Sequence, residues 1–393
     1  MEKRIYFDNS ATTPTDPRVR DAMLPYLGEV FGNPSSMHED GRIARAAVDA
    51  ARAEVAKLFN ADPGEVIFTA SGTEADNLAI LGVAQNYAPG DCHIVTTAFE
   101  HPAVIETCRY LEKLGYAVTY LPVSKEGLVS ADSLRAALRP ETRLVSIMAA
   151  NNVVGTLQPI AEFAAIARSR GILFHTDAVQ AAGKIPIDLK ALPVDMLSLS
   201  AHKLNGPKGI GALIIRGNVP LKPIVHGGGQ ERKLRSATEN VPGIVGFGTA
   251  ARIAREEMSV EAAKLVNLRE RLVEGISEHI PNAYLIGHRY RRLPGHVSIG
   301  ISGQEPESIK LMLALDQAGF SVSTGSACSA HNAAEPSYVL QALGFDPIRA
   351  RGSLRITLGR FNTAEEVEKF LSVLPAAVAS MRSISTRKIP TTV

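Results

Sequence analysis

What most constrains this chain is an alternation that starts near Glu65 and holds to about Ile215. Short runs rich in β-branched and aromatic residues (Val66–Thr69, His93–Thr96, Ala117–Tyr120, Leu144–Ile147, Ile172–His175) are separated by Ala- and Leu-rich stretches with helical spacing. Strands that alternate with helices build βαβ units, whose parallel strands lie in a sheet covered on both faces. Two further runs, Asp195–Ser198 and Ala212–Ile215, complete a sheet of about seven strands, an ordinary size for an α/β enzyme. The expected class is α/β, with a mostly parallel, doubly wound sheet.

Before the alternation, an extended arm leads into an amphipathic helix over Asp40–Phe59, where Ile43, Ala47, Ala50 and Val55 fall near helical spacing. After it, a helical segment runs from about Gly243 to Ile280 and stops at Pro281. A smaller α+β region follows: strand His296–Ile301, helix Glu305–Ala318, strands Phe320–Ser323 and Ser353–Thr357, and a closing helix from Thr363. With the boundary inside the long helix, the chain divides into an N-terminal arm (1–13) packing with the small domain, a large domain (14–255) and a small domain (256–393). The 393 residues, 45% apolar and 21% charged, suit two globular domains of a soluble protein. A net charge of +2 gives no reason to expect nucleic acid or an acidic membrane as partner. No apolar run approaches the roughly 18 residues of a membrane span, and the start lacks an apolar signal core. The three cysteines, Cys92, Cys108 and Cys328, are too far apart for a CxxC metal site and odd in number, so a reducing, cytoplasmic compartment is expected. The polar, basic end Arg382–Val393 reads as a disordered tail.

In an open α/β sheet the ligand lies beyond the carboxyl ends of the strands, so the residues that follow each strand form the candidate list. After Thr69 comes Ala70-Ser-Gly-Thr-Glu-Ala-Asp-Asn77, a small-residue turn that opens a helix. The N–H groups of Gly72 and Thr73 suit a phosphate, although GxxxxGK[ST] is missing, and a plain cap by Ser71 or Thr73 fits as well. Further on, His101 precedes Pro102, which holds it extended at a loop mouth where it can stack on a planar ring or relay protons. Asn151 and Asn152 are amides able to bond a ring hydroxyl or a carboxylate, or to make a turn. Asp177 is a costly buried charge unless paired, for instance with a protonated pyridine nitrogen, and Gln180 can reach the ring oxygen next door.

After Ser200, His202 and Lys203 run into Asn205-Gly-Pro-Lys-Gly209. A lysine between a strand end and a Gly-rich loop sits where desolvation lowers its pKa, and only the neutral amine attacks an aldehyde. By itself Lys203 reads more simply as a turn residue. In chain order, however, a phosphate loop, a stacking histidine, a pyridinium aspartate and an aldehyde-binding lysine are the parts of a pyridoxal 5'-phosphate site. Cys92 and Cys108 read as buried small hydrophobes. Cys328 differs. It lies in Thr324-Gly-Ser-Ala-Cys-Ser-Ala-His-Asn-Ala-Ala-Glu335, a run without core periodicity, read as an exposed loop whose thiol is partly thiolate and can attack sulfur.

Nearly the whole chain, from Tyr6-Phe-Asp-Asn-Ser-Ala-Thr-Thr-Pro14 to Leu354-Arg-Ile-Thr-Leu-Gly-Arg-Phe361, resembles the pyridoxal-phosphate-dependent cysteine desulfurases of the NifS/IscS type, long-loop branch, in the class-V group of fold-type I transferases. The most specific motifs are His175-Thr-Asp-Ala-Val-Gln180, Ser200-Ala-His-Lys203, His226-Gly-Gly-Gly-Gln-Glu-Arg232, Ser326-Ala-Cys328 and Glu335-Pro-Ser-Tyr-Val-Leu340. The resemblance implies that Lys203 holds the cofactor aldehyde, Asp177 the ring nitrogen and Gln180 the ring oxygen, with His101 stacked on the ring. It implies that Gly72, Thr73, Ser200 and His202 bind the phosphate, joined by Thr238 from the second subunit of a homodimer. Asn152 and Arg355 would hold the carboxylate of L-cysteine. Cys328 would take the sulfur as a persulfide, leaving L-alanine, and pass it to an acceptor protein such as an iron–sulfur scaffold, with Cys328 as a transient cluster ligand. His101 would serve the thiol protons as acid or base. Selenocysteine lyase, or another pyridoxal reaction on this scaffold, is the alternative. Two positions depart from the family pattern: Val153 stands where a glutamate is common, removing a carboxylate behind the ring, and His331 lengthens the Cys328 loop.

Overall fold

The computed structural model describes residues 4–325 and 335–385. The chain opens with β1 (Ile5–Tyr6), α1 (Pro17–Met23) and α2 (Glu39–Leu58), the last beginning and ending one residue earlier than read from the sequence. The alternation then becomes β2 (Val66–Thr69), α3 (Gly72–Ala84), β3 (His93–Thr97), α4 (Pro102–Lys113), β4 (Ala117–Leu121), α5 (Ala131–Ala137), β5 (Thr142–Ser146), α6 (Ile160–Ser169) and β6 (Leu173–Asp177). β7 (Met196–Ser200) and β8 (Gly211–Ile215) close it.

Among the described residues the large sheet has seven strands in the order β2-β8-β7-β6-β5-β3-β4. β8 runs antiparallel to both β2 and β7, and the other neighbouring pairs are parallel. This is the mostly parallel sheet expected from the alternation. Strands β2, β3, β7 and β8 are buried at every position, as a sheet with both faces covered requires. β5 starts two residues before the expected Leu144, because the ladder with β3 reaches back to His93 and Thr142, whose side chains share a 2.8 Å hydrogen bond.

The helix α7 (Val241–His279) has 39 residues, about 58 Å at 1.5 Å per residue, and serves two cores. Its first half packs Ile244, Phe247 and Ala251 with α2 and the sheet; its second half packs Leu265, Leu268 and Leu272 with the C-terminal elements. The close approach to α2 needs Gly248, where a Cβ would lie 2.5 Å from the Cα of Ala51. Beyond α7 come β9 (Ala283–Leu285), β10 (His296–Ile301), α8 (Ser308–Gln317), β11 (Phe320–Ser321), β12 (Ser323–Thr324), α9 (Tyr338–Ala342), β13 (Leu354–Thr357) and α10 (Ala364–Ser385). The strand read as Phe320–Ser323 is split, since β11 pairs with β1 and β12 with β13, so the chain changes partners at Val322. The helix expected over Glu305–Ala318 starts as a 3₁₀ turn, Glu305–Glu307. α10 runs through Ser385, into the stretch read as a disordered tail, and 386–393 lie outside the described residues. None of the described helices is long and apolar enough to cross a membrane.

The N-terminal arm stitches the two cores together. Phe7 sits in the second core, Asp8 bridges to Thr357, and Thr13 bonds the carbonyl of His202 through both its N–H and its hydroxyl. One buried ion pair anchors α2 to the long loop before α7. The Glu231 carboxylate accepts from Arg52 at 2.8 and 2.7 Å and from the Phe68 N–H at 3.0 Å, while the Arg52 guanidinium lies 4.7 Å from the centre of the Phe68 ring. Removing one partner strands the other charge, so Glu231→Ala is expected to destabilise the fold by about 3–5 kcal/mol. A thermal melt should show the midpoint falling by roughly 6–15 °C, and an unchanged midpoint would refute this assignment.

Candidate active site

The carboxyl ends of β2, β6 and β7 open onto a cavity of about 340 Å³. Gly72, Thr73, His101, Asn152, Asp177, Gln180, Ser200, His202, Lys203 and Arg355 all line it. Thr238 does not: it is exposed and lines a separate cavity with Glu231 and Arg235. Cys328 and His331 lie outside the described residues. Cys92 and Cys108 are buried, as expected, and burial pushes their thiols up to about 11 and about 12, which keeps them protonated and unreactive.

Each wall follows from local chemistry. Ser71 caps α3 by accepting the Glu74 N–H at 3.1 Å, which leaves the N–H groups of Gly72 and Thr73, at the positive end of the helix, to the cavity. The cap by Ser71, one of the two alternatives in the sequence, is present, and it does not use the N–H groups of Gly72 and Thr73. Gly72 has no room for a side chain, since a Cβ would meet Val179 at 2.6 Å. That contact seats the helix start directly on the turn after β6.

His101 is extended, as its place before proline demands, and caps α4 by accepting the Ala103 N–H on Nδ1 at 3.1 Å. Burial, helped by the charge of Lys203, pulls the ring down to about 4. At neutral pH it is therefore an uncharged imidazole with its proton on Nε2, able to stack and to donate. Of the acid and base roles implied for His101, the base role would need the nitrogen that already accepts the Ala103 N–H.

Asp177 accepts the Val179 N–H at 2.8 Å. Burial raises it to about 6, while that N–H and Lys203 pull the other way. Beside it Asp76 stands well above the usual carboxylate range, because it is buried and because Asp177 repels a second charge. Asp76 keeps the proton and Asp177 takes the charge. His175, which burial lowers to about 3, is neutral and bonds the hydroxyls of Ser146 and Ser198 at 2.8 and 2.9 Å.

Lys203 Nζ donates to the carbonyls of Ser10 and, at 2.8 Å, Ala11. Gln180 donates through Nε2 to the same Ser10 carbonyl at 2.9 Å. Arg355, on β13, bonds the Asn152 carbonyl at 3.0 Å and the Asp8 carboxylate at 2.9 Å, while its buried Nε has no hydrogen-bond partner among the described residues. Val153 is buried among Phe99, Met148, Val339 and Leu340, where a carboxylate would be stranded in apolar surroundings.

Ser10, Ala11 and Asp76 line the cavity without having been read from the sequence as site residues. Asp76 left a signal, a charged residue on the face of α3 that otherwise carries Gly72, Ala75 and Ala79. Ser10 and Ala11 act through backbone carbonyls, which leave none. A second cavity, about 500 Å³, shares Asn152 with the first and is walled by Gly325 and Glu335, the described residues that flank the Cys328 segment.

The class-V aminotransferase family matches residues 5–370. The chain belongs to that family. Within it, a protein named cysteine desulfurase IscS from Methanosarcina thermophila is 49% identical over 98% of this chain and 94% of its own length. A solved NifS-like protein superposes with a TM-score of 0.90 at 41% identity, covering 96% of this chain and 100% of that one. A structure of SspA in complex with cysteine matches 91% of this chain and all of its own at 36% identity, with a TM-score of 0.81. The resemblance read from the motifs agrees with these matches.

Proposed function

We propose that the protein is a cysteine desulfurase that uses pyridoxal 5'-phosphate to convert L-cysteine to L-alanine and carries the sulfur away on Cys328. The observation that carries the reading is the meeting in one cavity of Lys203, the buried carboxylate of Asp177 and the open N-terminus of α3. The donor set fits the cofactor. The N–H groups of Gly72 and Thr73, with Ser200 and His202, suit its phosphate; Asp177 suits a protonated ring nitrogen; Gln180 suits the ring oxygen. Lys203 suits the aldehyde, and the neutral ring of His101 suits stacking. The unpartnered Nε of Arg355 calls for an acceptor, which a substrate carboxylate supplies.

When bound, the cofactor supplies an electron sink that lets the substrate Cα–H bond ionise. Arg355 and Asn152 hold the substrate carboxylate and aim the Cα. Lys203, which would hold the aldehyde, is the amine placed to take the Cα proton. His101, its proton on Nε2, donates to the thiol end. The Cys328 thiolate then attacks the substrate sulfur: an S–S bond forms, the Cβ–S bond breaks, and the electron pair goes to Cβ, which is later protonated to give alanine.

Two domains, divided within α7 and linked by the arm, frame this site in our reading. The active unit is a homodimer, with Thr238 completing the phosphate site of the second copy, and the sulfur passes to an acceptor protein such as an iron–sulfur scaffold. The exposure of Thr238 away from its own cavity supports that role. Cys328→Ser is expected to lower alanine formation from L-cysteine by about 100-fold with the cofactor still bound. Alanine made at the full rate by this variant would contradict the assignment.

A further inference from the structure

Four residues beyond Gln180, after the turn at Gly183, stands a second lysine, Lys184. Its Nζ lies 3.4 Å from Gln180 Oε1. Nζ donates in this contact, so the amide oxygen of Gln180 faces Lys184. The amide nitrogen must then point the other way, where it donates to the Ser10 carbonyl that also receives Lys203. One amide and one carbonyl thus join the two lysines.

The place is costly for a cation. Burial, reinforced by the charges of Lys203 and Arg355 and offset by Glu261, draws Lys184 down to about 7, and its charge in turn bears on His202 and His296.

We propose that Lys184 is a positioning residue, locking the Gln180 amide so that its N–H side rather than its oxygen faces the cavity. The inference rests on the reading of the cavity as a pyridoxal-phosphate site, in which Gln180 meets an anionic ring oxygen. With Lys184 lost, the amide can turn over and set its own oxygen against that anion, replacing a charge-assisted hydrogen bond by a repulsive contact.

The test is a double-mutant cycle on the full chain stripped of cofactor, read as the dissociation constant of added pyridoxal 5'-phosphate together with the visible spectrum of the complex. Lys184→Met is expected to weaken binding by roughly ten-fold and to shift the visible band. In a Gln180→Ala background the same change adds less than about two-fold, and Lys184→Arg, which keeps a donor, binds within about three-fold of wild type. Equal weakening in both backgrounds, or wild-type binding by Lys184→Met, overturns the proposal. If circular dichroism shows Lys184→Met unfolded, Lys184→Leu, which also lacks a donor, takes its place in the cycle. A wild-type chain that does not bind the cofactor fails the underlying reading instead, so the two failures are told apart.

Discussion

Lys203→Ala is expected to abolish L-cysteine turnover, by about 10⁴-fold or more, because in the proposed mechanism one side chain both anchors the cofactor and moves the Cα proton. The purified variant should also lack the visible absorbance of lysine-linked cofactor. The fold should survive, since Lys203 belongs to neither core. Its ammonium does tie the arm through the carbonyls of Ser10 and Ala11, so a loss of about 1 kcal/mol per bond is expected at the arm. Alanine formation and absorbance at wild-type levels would remove Lys203 from its assigned role.

Asp177→Asn is expected to lower turnover by about 10³-fold while leaving the cofactor attached at Lys203. The amide copies the shape of the carboxylate and can still accept the Val179 N–H. What it lacks is the charge that, in the proposed role, keeps a proton on the ring nitrogen. The neighbouring acid is a poor replacement, because Asp76 is buried, its Oδ1 has no hydrogen-bond partner among the described residues, and burial beside Asp177 raises it well above the usual carboxylate range. Asp76→Asn should therefore be nearly silent. The contrast between the two isosteric changes, read as initial rates on L-cysteine, separates a charged carboxylate from a merely polar one. Equal loss in both variants would mean that the charge is not confined to Asp177.

Much of this was legible because strand ends and chemistry coincide. β2, β6 and β7 end within a residue or two of the sequence reading, and the residues after them line one cavity. Alternation of buried strands with helices is a local signal, and in this topology it also dictates where a ligand sits. The antiparallel run of β8 was not legible, since its sequence, buried at every position, matches a parallel neighbour. Nor was the partner change at Val322, which depends on β1 and β13, far away in sequence.

Within the site, side chains with distinctive chemistry such as Lys203 and Asp177 were readable. Ser10 contributes through its carbonyl, and its place under Lys203 follows from the arm crossing between the two cores. The state of His101 was half legible: its extended backbone follows from Pro102, but its neutral ring follows from burial beside Lys203. Lys184 looked like any lysine after a glycine. Its contact with Gln180 and the burial that lowers its pKa distinguish it.

The central claim is that sulfur from L-cysteine comes to rest on Cys328, and mass spectrometry of the intact protein and its peptides tests it most directly. After incubation with L-cysteine, the peptide carrying Cys328 is expected to gain the mass of one sulfur atom, lost on treatment with a thiol reductant, while the peptides of Cys92 and Cys108 stay unchanged. Alanine released with no added sulfur on Cys328, or with the sulfur on another cysteine, would contradict the account.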